Sequence, residues 1–534
     1  MRVACVVRRA GAALAALLLA TGCTSAGDRA SDQAHDRPTG RATEQPTDGA
    51  GTTNATAFGG GVGGYHPGPC PFGDLPATAV RIDCGTLVVP ETRGSDARWV
   101  SVAVARLRTN AAVPADPVLY LEGGPGGSAL SSAERWTDPP SPILERHDVI
   151  LVDPRGTGYS SPRLTCDPEF EDPANDELEE PALLETCHRR LTDDGIELDR
   201  YNTLDTADDL VDLRHALGLE RWNLLGVSYG TRLALELMQR DPAGTRAAVL
   251  DSVYPPGVRG IDEQAANAYD ALHALLEGCA GDATCARDHP DLEARLLATV
   301  DRLDRRPVTI DLDDGTGEGG TEPYDYAGAD LVDDLFFALY DNALIPDVPD
   351  IVELAVSGDV QGAADLLAPE LAPIPTDEPI VEDDELAPEE VIRPDDSDGL
   401  FYTVECREEV PNSSRAGIDA ASTDIPPALR EDLVFGAEFE LDSCESWPVT
   451  PAPLSPVTSD VPTLLLGGAY DPITPLRWAH EAARTLSRSE VVAFDGIGHA
   501  AIDGGRCPLD MIEAFLDDPT RSVGDSCTTT PTFR

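Results

Sequence analysis

A strand that runs straight into a helix through a glycine-flanked serine is the feature that most restricts this chain. The apolar run Trp222-Asn223-Leu224-Leu225 leads into Gly226-Val227-Ser228-Tyr229-Gly230, and the helix-forming run Arg232-Leu233-Ala234-Leu235-Glu236-Leu237 leads out. Such a turn is cramped: a Cβ two residues either side of the serine would clash, so glycine stands at both places and the hydroxyl is lifted clear of the sheet. The bare pattern also occurs in ordinary tight turns, and the strand before and helix after are what set this one apart. Ser228 is the candidate nucleophile, and the turn belongs to an α/β architecture with a mostly parallel central sheet and helices on both faces.

A neutral hydroxyl is a weak nucleophile, so Ser228 needs a base, and the base needs an orienting acid; on this kind of turn both follow later in the chain, acid first and histidine last. After the apolar run Pro462-Thr463-Leu464-Leu465-Leu466-Gly467-Gly468 comes Ala469-Tyr470-Asp471-Pro472-Ile473-Thr474-Pro475, which puts Asp471 just past a strand end. A further strand, Glu490-Val491-Val492-Ala493-Phe494, leads to Gly496-Ile497-Gly498-His499-Ala500. Asp471 is read as the acid and His499 as the general base. Either could be bland alone, a turn former or one of nine histidines, but their order and strand-end setting reinforce each other. The rival acid is Asp251, which ends Ala247-Ala248-Val249-Leu250 and is read as structural.

Acyl transfer also needs donors for an oxyanion, one from the residue after the serine and one from a loop after an earlier strand. Val118-Leu119-Tyr120-Leu121 followed by Glu122-Gly123-Gly124-Pro125-Gly126-Gly127-Ser128 supplies that loop. Gly124 is the choice, with Tyr229 as its partner and Gly123 as the alternative. The same glycines lack the lysine of a P-loop and the spacing of a dinucleotide fingerprint, which argues against nucleotides. In Asp153-Pro154-Arg155-Gly156-Thr157-Gly158-Tyr159-Ser160, Arg155 is expected to tie neighbouring loops together through hydrogen bonds and an ion pair.

Taken together, the loops at 122–128 and 153–160, the elbow with Tyr229 and Thr231, Asp471 and the glycine-flanked His499 resemble the prolyl and tripeptidyl aminopeptidase group of α/β-hydrolases, over about residues 70 to 530. The resemblance implies an α/β-hydrolase fold and a serine exopeptidase that releases short peptides, tripeptides first, or proline-containing units from peptide substrates with free N-termini, with a carboxylesterase or amidase as the alternative on the same parts. A catalytically silent binding protein is a third reading, disfavoured by a triad in proper order. The segment Thr403-Val404-Glu405-Cys406-Arg407-Glu408 resembles a short motif of that group, with threonine where alanine is usual. By this resemblance Glu408, with Glu405 as a second candidate, would bind the substrate ammonium, for which a desolvated carboxylate is the physical means. The bland reading, solvated surface charge, competes with it in so acidic a chain.

The length, 534 residues, exceeds one simple core. Residues 65–261 and 401–534 read as two parts of a hydrolase core, and 262–400 as a mainly helical cap insertion, with helices at Glu263 to Leu276, Leu292 to Leu303, Asp330 to Leu339 and Ile351 to Leu367. Its Thr376 to Asp398 stretch, rich in acid and proline, reads as an exposed edge. Residues 1–23 read as an export signal: Arg2, Arg8 and Arg9 precede the short apolar run Ala12 to Ala20, and Leu19-Ala20-Thr21-Gly22-Cys23 resembles a lipoprotein cleavage box that would acylate Cys23, with simple secretion as the alternative. Residues 24–64 read as a disordered tether.

Twelve cysteines fit an oxidising compartment, because setting aside Cys5 and Cys23 leaves an even set. Local clustering suggests Cys70 with Cys84, Cys166 with Cys187, Cys279 with Cys285, Cys406 with Cys444 and Cys507 with Cys527. Neither a close Cys-x-x-Cys pair nor a helical His-x-x-x-His occurs, so no metal and no cofactor are expected. A net charge of -57 without a single lysine argues against nucleic acid or an anionic membrane surface as partner, leaving a lipid anchor at Cys23 as the expected route to a membrane. Oligomeric state is not legible.

Overall fold

The computed structural model describes residues 64–72, 80–95, 97–170, 175, 178, 180–313, 320–368, 396–524 and 533. The signal, the Cys23 box and almost all of the tether, most of the acidic stretch after Thr376, and Cys527 lie outside these residues.

The order of elements opens with strands β1 (Gly64–Gly68), β2 (Arg81–Pro90), β3 (Trp99–Arg108), β4 (Val118–Leu121) and β5 (Val149–Asp153). Helix α1 (Thr203–Ala216), strand β6 (Trp222–Val227), helix α2 (Tyr229–Arg240) and strand β7 (Thr245–Asp251) follow. The sheet closes with β10 (Thr463–Gly468) and β11 (Ser489–Phe494), in the order β1-β2-β3-β5-β4-β6-β7-β10-β11. The first three strands are antiparallel to their neighbours, while every pairing from β5 through β11 is parallel. Each parallel step requires a crossover, so all the loops at the carboxyl ends of these strands gather along one edge.

Side-chain alternation divides the sheet into two faces. Leu119, Leu121, Leu224, Ala248, Leu250 and Leu465 enter one core with α1 and α2, while Val118, Tyr120, Leu225, Ala247, Val249 and Leu464 enter the other with Ile512 and Phe515 of a helix at Arg506–Asp517. Strands buried on both faces read as continuous apolar runs, which is why β4, β6 and β10 were legible as such.

Between β7 and β10 a third apolar core forms. It is built on helices α3 (Gly260–Gly281), α4 (Leu292–Arg305), α5 (Gly328–Ala338), α6 (Val348–Ser357) and α7 (Val360–Leu367). Two features depart from the sequence expectation. The single helix expected over Ile351 to Leu367 is broken at Gly358, whose φ of 102° closes α6, and Asp359 opens α7 by accepting the Gly362 N–H. A hairpin of β8 (Val308–Asp313) and β9 (Thr321–Tyr326) also stands among the helices. The chain then returns to the first core with Leu400, Phe401, Val404 and Cys406, and α8 (Pro427–Ser443) contributes Leu429 back to the third.

Four of the expected cysteine pairs are disulfides: Cys70–Cys84, Cys166–Cys187, Cys279–Cys285 and Cys406–Cys444. Among the described residues no helix is long and apolar enough to cross a membrane, and no group of metal-ligating side chains is found.

Candidate active site

Ser228 stands between β6 and α2 with φ 55° and ψ −124°, a conformation that L-residues rarely adopt. The reason for its glycine neighbours is steric. A Cβ on Gly226 would lie 2.4 Å from the Gly230 carbonyl oxygen, and one on Gly230 would lie 2.1 Å from that of Leu121. Strand β4 therefore packs directly on the elbow. Gly123 also lies against the serine, since a Cβ there would sit 3.1 Å from that of Ser228. The Gly123 N–H donates to Glu122 Oε1 (3.0 Å), which leaves the neighbouring Gly124, at φ 106°, as the loop's candidate donor alongside the Tyr229 N–H that opens α2.

Asp471 and His499 are brought together. His499 Nδ1 lies 3.0 Å from each Asp471 carboxylate oxygen, and both residues are almost fully buried, at 3% and 2% exposure. Asp471 also accepts the Ile473 N–H (3.1 Å), the Thr474 N–H (2.8 Å) and the Thr474 hydroxyl (2.7 Å). Thr474 Oγ1 is itself 3.2 Å from His499 Nδ1. With Nδ1–H held by this acid and hydroxyl, the tautomer is set, and Nε2, buried and without a hydrogen-bond partner, is the nitrogen left to receive a proton. Burial disfavours the imidazolium, but the Asp471 charge and hydrogen bond, with further help from Asp251 and Asp503, outweigh it, so the pKa rises above the ordinary 6.5.

Asp251 takes a different task. Its carboxylate accepts the Ala501 N–H (2.9 Å) and the Ile502 N–H (2.7 Å), just past the histidine, while its carbonyl accepts the Ser228 N–H (3.0 Å). One residue thus braces both the serine and the turn after His499. Burial raises its pKa to about 6.

Sequence reasoning missed the contribution of the inserted helices to the histidine loop. The Leu339 carbonyl accepts the His499 N–H (3.2 Å), Asn342 accepts the Gly498 N–H (2.8 Å) and donates to the His499 and Ala500 carbonyls (3.1 Å each). The Tyr340 ring lies 4.8 Å from the imidazole. A local signal existed for Thr474, because Asp-x-x-Thr is an Asx-turn pattern; the 339–342 turn is more than 150 positions from its partner and left none.

Glu408 and Glu405, the candidates for the substrate ammonium, lie in the protein interior. Both are buried, at 1% and 3% exposure, in a π-turn spanning Glu405–Glu409. Glu408 Oε1 accepts the Thr203 N–H (2.9 Å) and Oε2 the Thr203 hydroxyl (2.6 Å). Burial pushes its pKa to about 7, and it pushes that of Glu405, which neighbours Glu440, well above the ordinary range. Neither is the solvated surface charge of the bland reading, and Glu408 has both oxygens committed within the protein. Arg155, by contrast, meets its expectation: fully buried, it forks onto Asp209 (2.7 and 2.8 Å) and donates to the Glu91 and Arg200 carbonyls.

These features agree with comparisons to known proteins. The family described as alpha/beta hydrolase fold matches residues 116–274, which hold the elbow, and the family described as TAP-like protein matches residues 432–527, which hold Asp471 and His499. The chain is a serine hydrolase of the α/β-hydrolase fold, and its carboxyl-terminal segment is similar to TAP-like proteins. This hydrolase is 26% identical to the serine protease Hip1 of Mycobacterium tuberculosis, across 81% of this chain and 84% of that one. It is 25% identical to the tripeptidyl aminopeptidase of Streptomyces lividans, across 82% and 81%, and 28% identical to carboxylesterase B of Mycobacterium tuberculosis, across 76% and 78%. Among solved structures, an esterase from Thermogutta terrifontis aligns at 16% identity over 82% of this chain and 99% of that one, with a TM-score of 0.33.

Proposed function

We propose that this hydrolase is an exported serine exopeptidase that releases short peptides, tripeptides first, or proline-containing units from free N-termini. The observation that carries the chemistry is the buried Asp471–His499 contact, with Nε2 left unpartnered, in a fold whose elbow presents Ser228. Ser228 Oγ attacks the scissile carbonyl, His499 Nε2 takes its proton and then delivers it to the departing amine, and Asp471 holds the ring and favours the imidazolium. The Tyr229 and Gly124 N–H groups stabilise the oxyanion. Water, activated by the same histidine, then cleaves the acyl-enzyme. Ser228 Oγ and His499 Nε2 share no hydrogen bond here, and such bonds commonly tighten only when substrate is bound.

The exopeptidase reading is supported by the likeness to the Streptomyces enzyme over four-fifths of both chains. The inserted helices, which grip the histidine loop, would limit substrate length. Export is supported by four disulfides and by the signal-like start of the sequence; a lipid on Cys23 would keep the enzyme on the outer face of the membrane. Esterase action is the second reading, favoured by the likeness to carboxylesterase B.

The test compares a free tripeptide p-nitroanilide, its N-acetylated twin and a short-chain p-nitrophenyl ester, with wild type and Ser228→Ala. Cleavage of the free peptide but not of its acetylated twin, reduced about 10⁴-fold or more in the variant, is expected. Ester cleavage with no peptide cleavage would make the enzyme an esterase.

A further inference from the structure

The π-turn Glu405–Glu409 reaches the elbow helix at two places on one face. Glu409 forms a fully buried ion pair with Arg232 (2.6 Å), whose guanidinium lies 3.8 Å from the centre of the Tyr254 ring. Glu408 holds Thr203, and Thr203 Oγ1 lies 2.8 Å from the Tyr229 hydroxyl. Tyr229 and Arg232 are three residues apart, so both face the same neighbour. The turn is itself anchored, because Cys406, its second residue, is bonded to Cys444, which caps the end of α8.

The polarity of this chain of hydrogen bonds follows from its members. With the Thr203 proton given to the Glu408 carboxylate, the threonine oxygen is free to accept, and the phenol of Tyr229 donates to it. Burial and the nearby carboxylates hold that phenol in its protonated form. The ring of the residue directly after the nucleophile is thereby fixed at its far end. At its near end is the backbone N–H that opens α2, which no carbonyl of its own helix can satisfy.

We propose that Glu408, acting through Thr203, is a positioning residue for the nucleophile elbow, holding Tyr229 so that its N–H meets the oxyanion, and that it does not bind the substrate amine. This rests on the roles assigned above to Ser228 and Tyr229. Oxyanion donors act through placement, and an error near 1 Å costs about 10²-fold in rate. A competing explanation is that Glu408 only caps α1, since Thr203 is the first residue of that helix and an acid at a helix N-terminus stabilises it.

The experiment uses the full chain as wild type, Glu408→Gln, Thr203→Val, Thr203→Ser, Tyr229→Phe and the Thr203→Val/Tyr229→Phe double variant. Thermal melting, the rate of Ser228 labelling by a fluorophosphonate, and steady-state kinetics on the tripeptide p-nitroanilide and the p-nitrophenyl ester are measured for each. Thr203→Val and Tyr229→Phe are expected to lower kcat and the labelling rate about tenfold on both substrates with KM nearly unchanged. The double variant should be no worse than either single one, and Thr203→Ser, which keeps the hydroxyl, should behave as wild type. A lower melting temperature with kcat and labelling intact would reduce Glu408 to a helix cap and overturn the proposal. So would a loss confined to the free-amine peptide and expressed in KM, which would return Glu408 to the substrate. Tyr229→Phe settles the matter even if Glu408→Gln does not fold. Failure of wild type to label at Ser228 would instead overturn the assignment of the nucleophile, and the proposal with it.

Discussion

Ser228 and His499 are each held by groups that do no chemistry themselves, and the proposed reaction depends on that support. Asp471 accepts four donors, His499 Nδ1 among them, and Thr474 touches both acid and ring. Because the folded pKa of His499 is raised above 6.5, and because the base must be neutral to accept a proton, the acid limb of the kcat/KM profile is expected above pH 6.5. In Asp471→Asn the counter-charge is gone while burial still opposes the imidazolium, so the limb should move to lower pH as the rate falls about 10⁴-fold. A pH–rate profile of both proteins checks this, and an unmoved limb would mean that another group titrates. Thr474→Val should cost roughly tenfold in kcat through a looser acid–base pair. At this scale the elbow at Ser228 and the strand-end settings of Asp471 and His499 were legible because each sits in a local pattern, glycine-flanked or strand-ending. The surroundings of Glu408 were not, since burial and the choice of Thr203 as partner are settled between positions 205 apart.

The elements explain why the local patterns have the residues they do. Gly230 is enforced by strand β4, whose Leu121 carbonyl occupies the space where a side chain would go. Backbone cannot yield as a flexible side chain can, so Gly230→Ala is expected to destabilise by more than about 3 kcal/mol or to shift the elbow and abolish labelling of Ser228. Denaturant unfolding together with fluorophosphonate labelling reads both, and a variant of wild-type stability and reactivity would contradict this packing. Strands β4, β6 and β10 and helices α3, α4 and α5 could be read from apolar runs and helical periodicity. The break at Gly358 could have been read from the glycine followed by a capping aspartate. The grip of the 339–342 turn on the histidine loop could not, because a backbone carbonyl and one asparagine carry no periodic signal.

Over the whole molecule, acidity and burial act in the same direction. Asp153 and Asp251 have pKa values raised to about 6, and Glu408 to about 7, chiefly by burial. A carboxyl whose folded pKa exceeds its unfolded value binds more protons when folded, so stability is greatest below the unfolded pKa and declines as pH rises through the folded one. The raised His499 works in the same sense. This hydrolase is therefore expected to melt several degrees higher at pH 5.5 than at pH 8. The net charge of -57 adds self-repulsion to that trend. In 1 M salt the repulsion is screened while the buried groups are not, so part of the difference should persist; calorimetry in both salts separates the two, and a melting temperature that rises with pH would show these carboxyls ionising without penalty in the fold. The sequence by itself determined what is short in range or repeats along the chain: the elbow, the parallel strands, the order of serine, acid and histidine, and a set of cysteines spaced for local pairing. Tertiary structure alone decided that Asp251 braces the serine and the histidine loop together, that the inserted helices hold His499, and that Glu408 faces the protein interior. The reason is physical: propensity and periodicity act over a few residues, whereas burial and the choice of hydrogen-bond partner are fixed only when distant segments displace water between them.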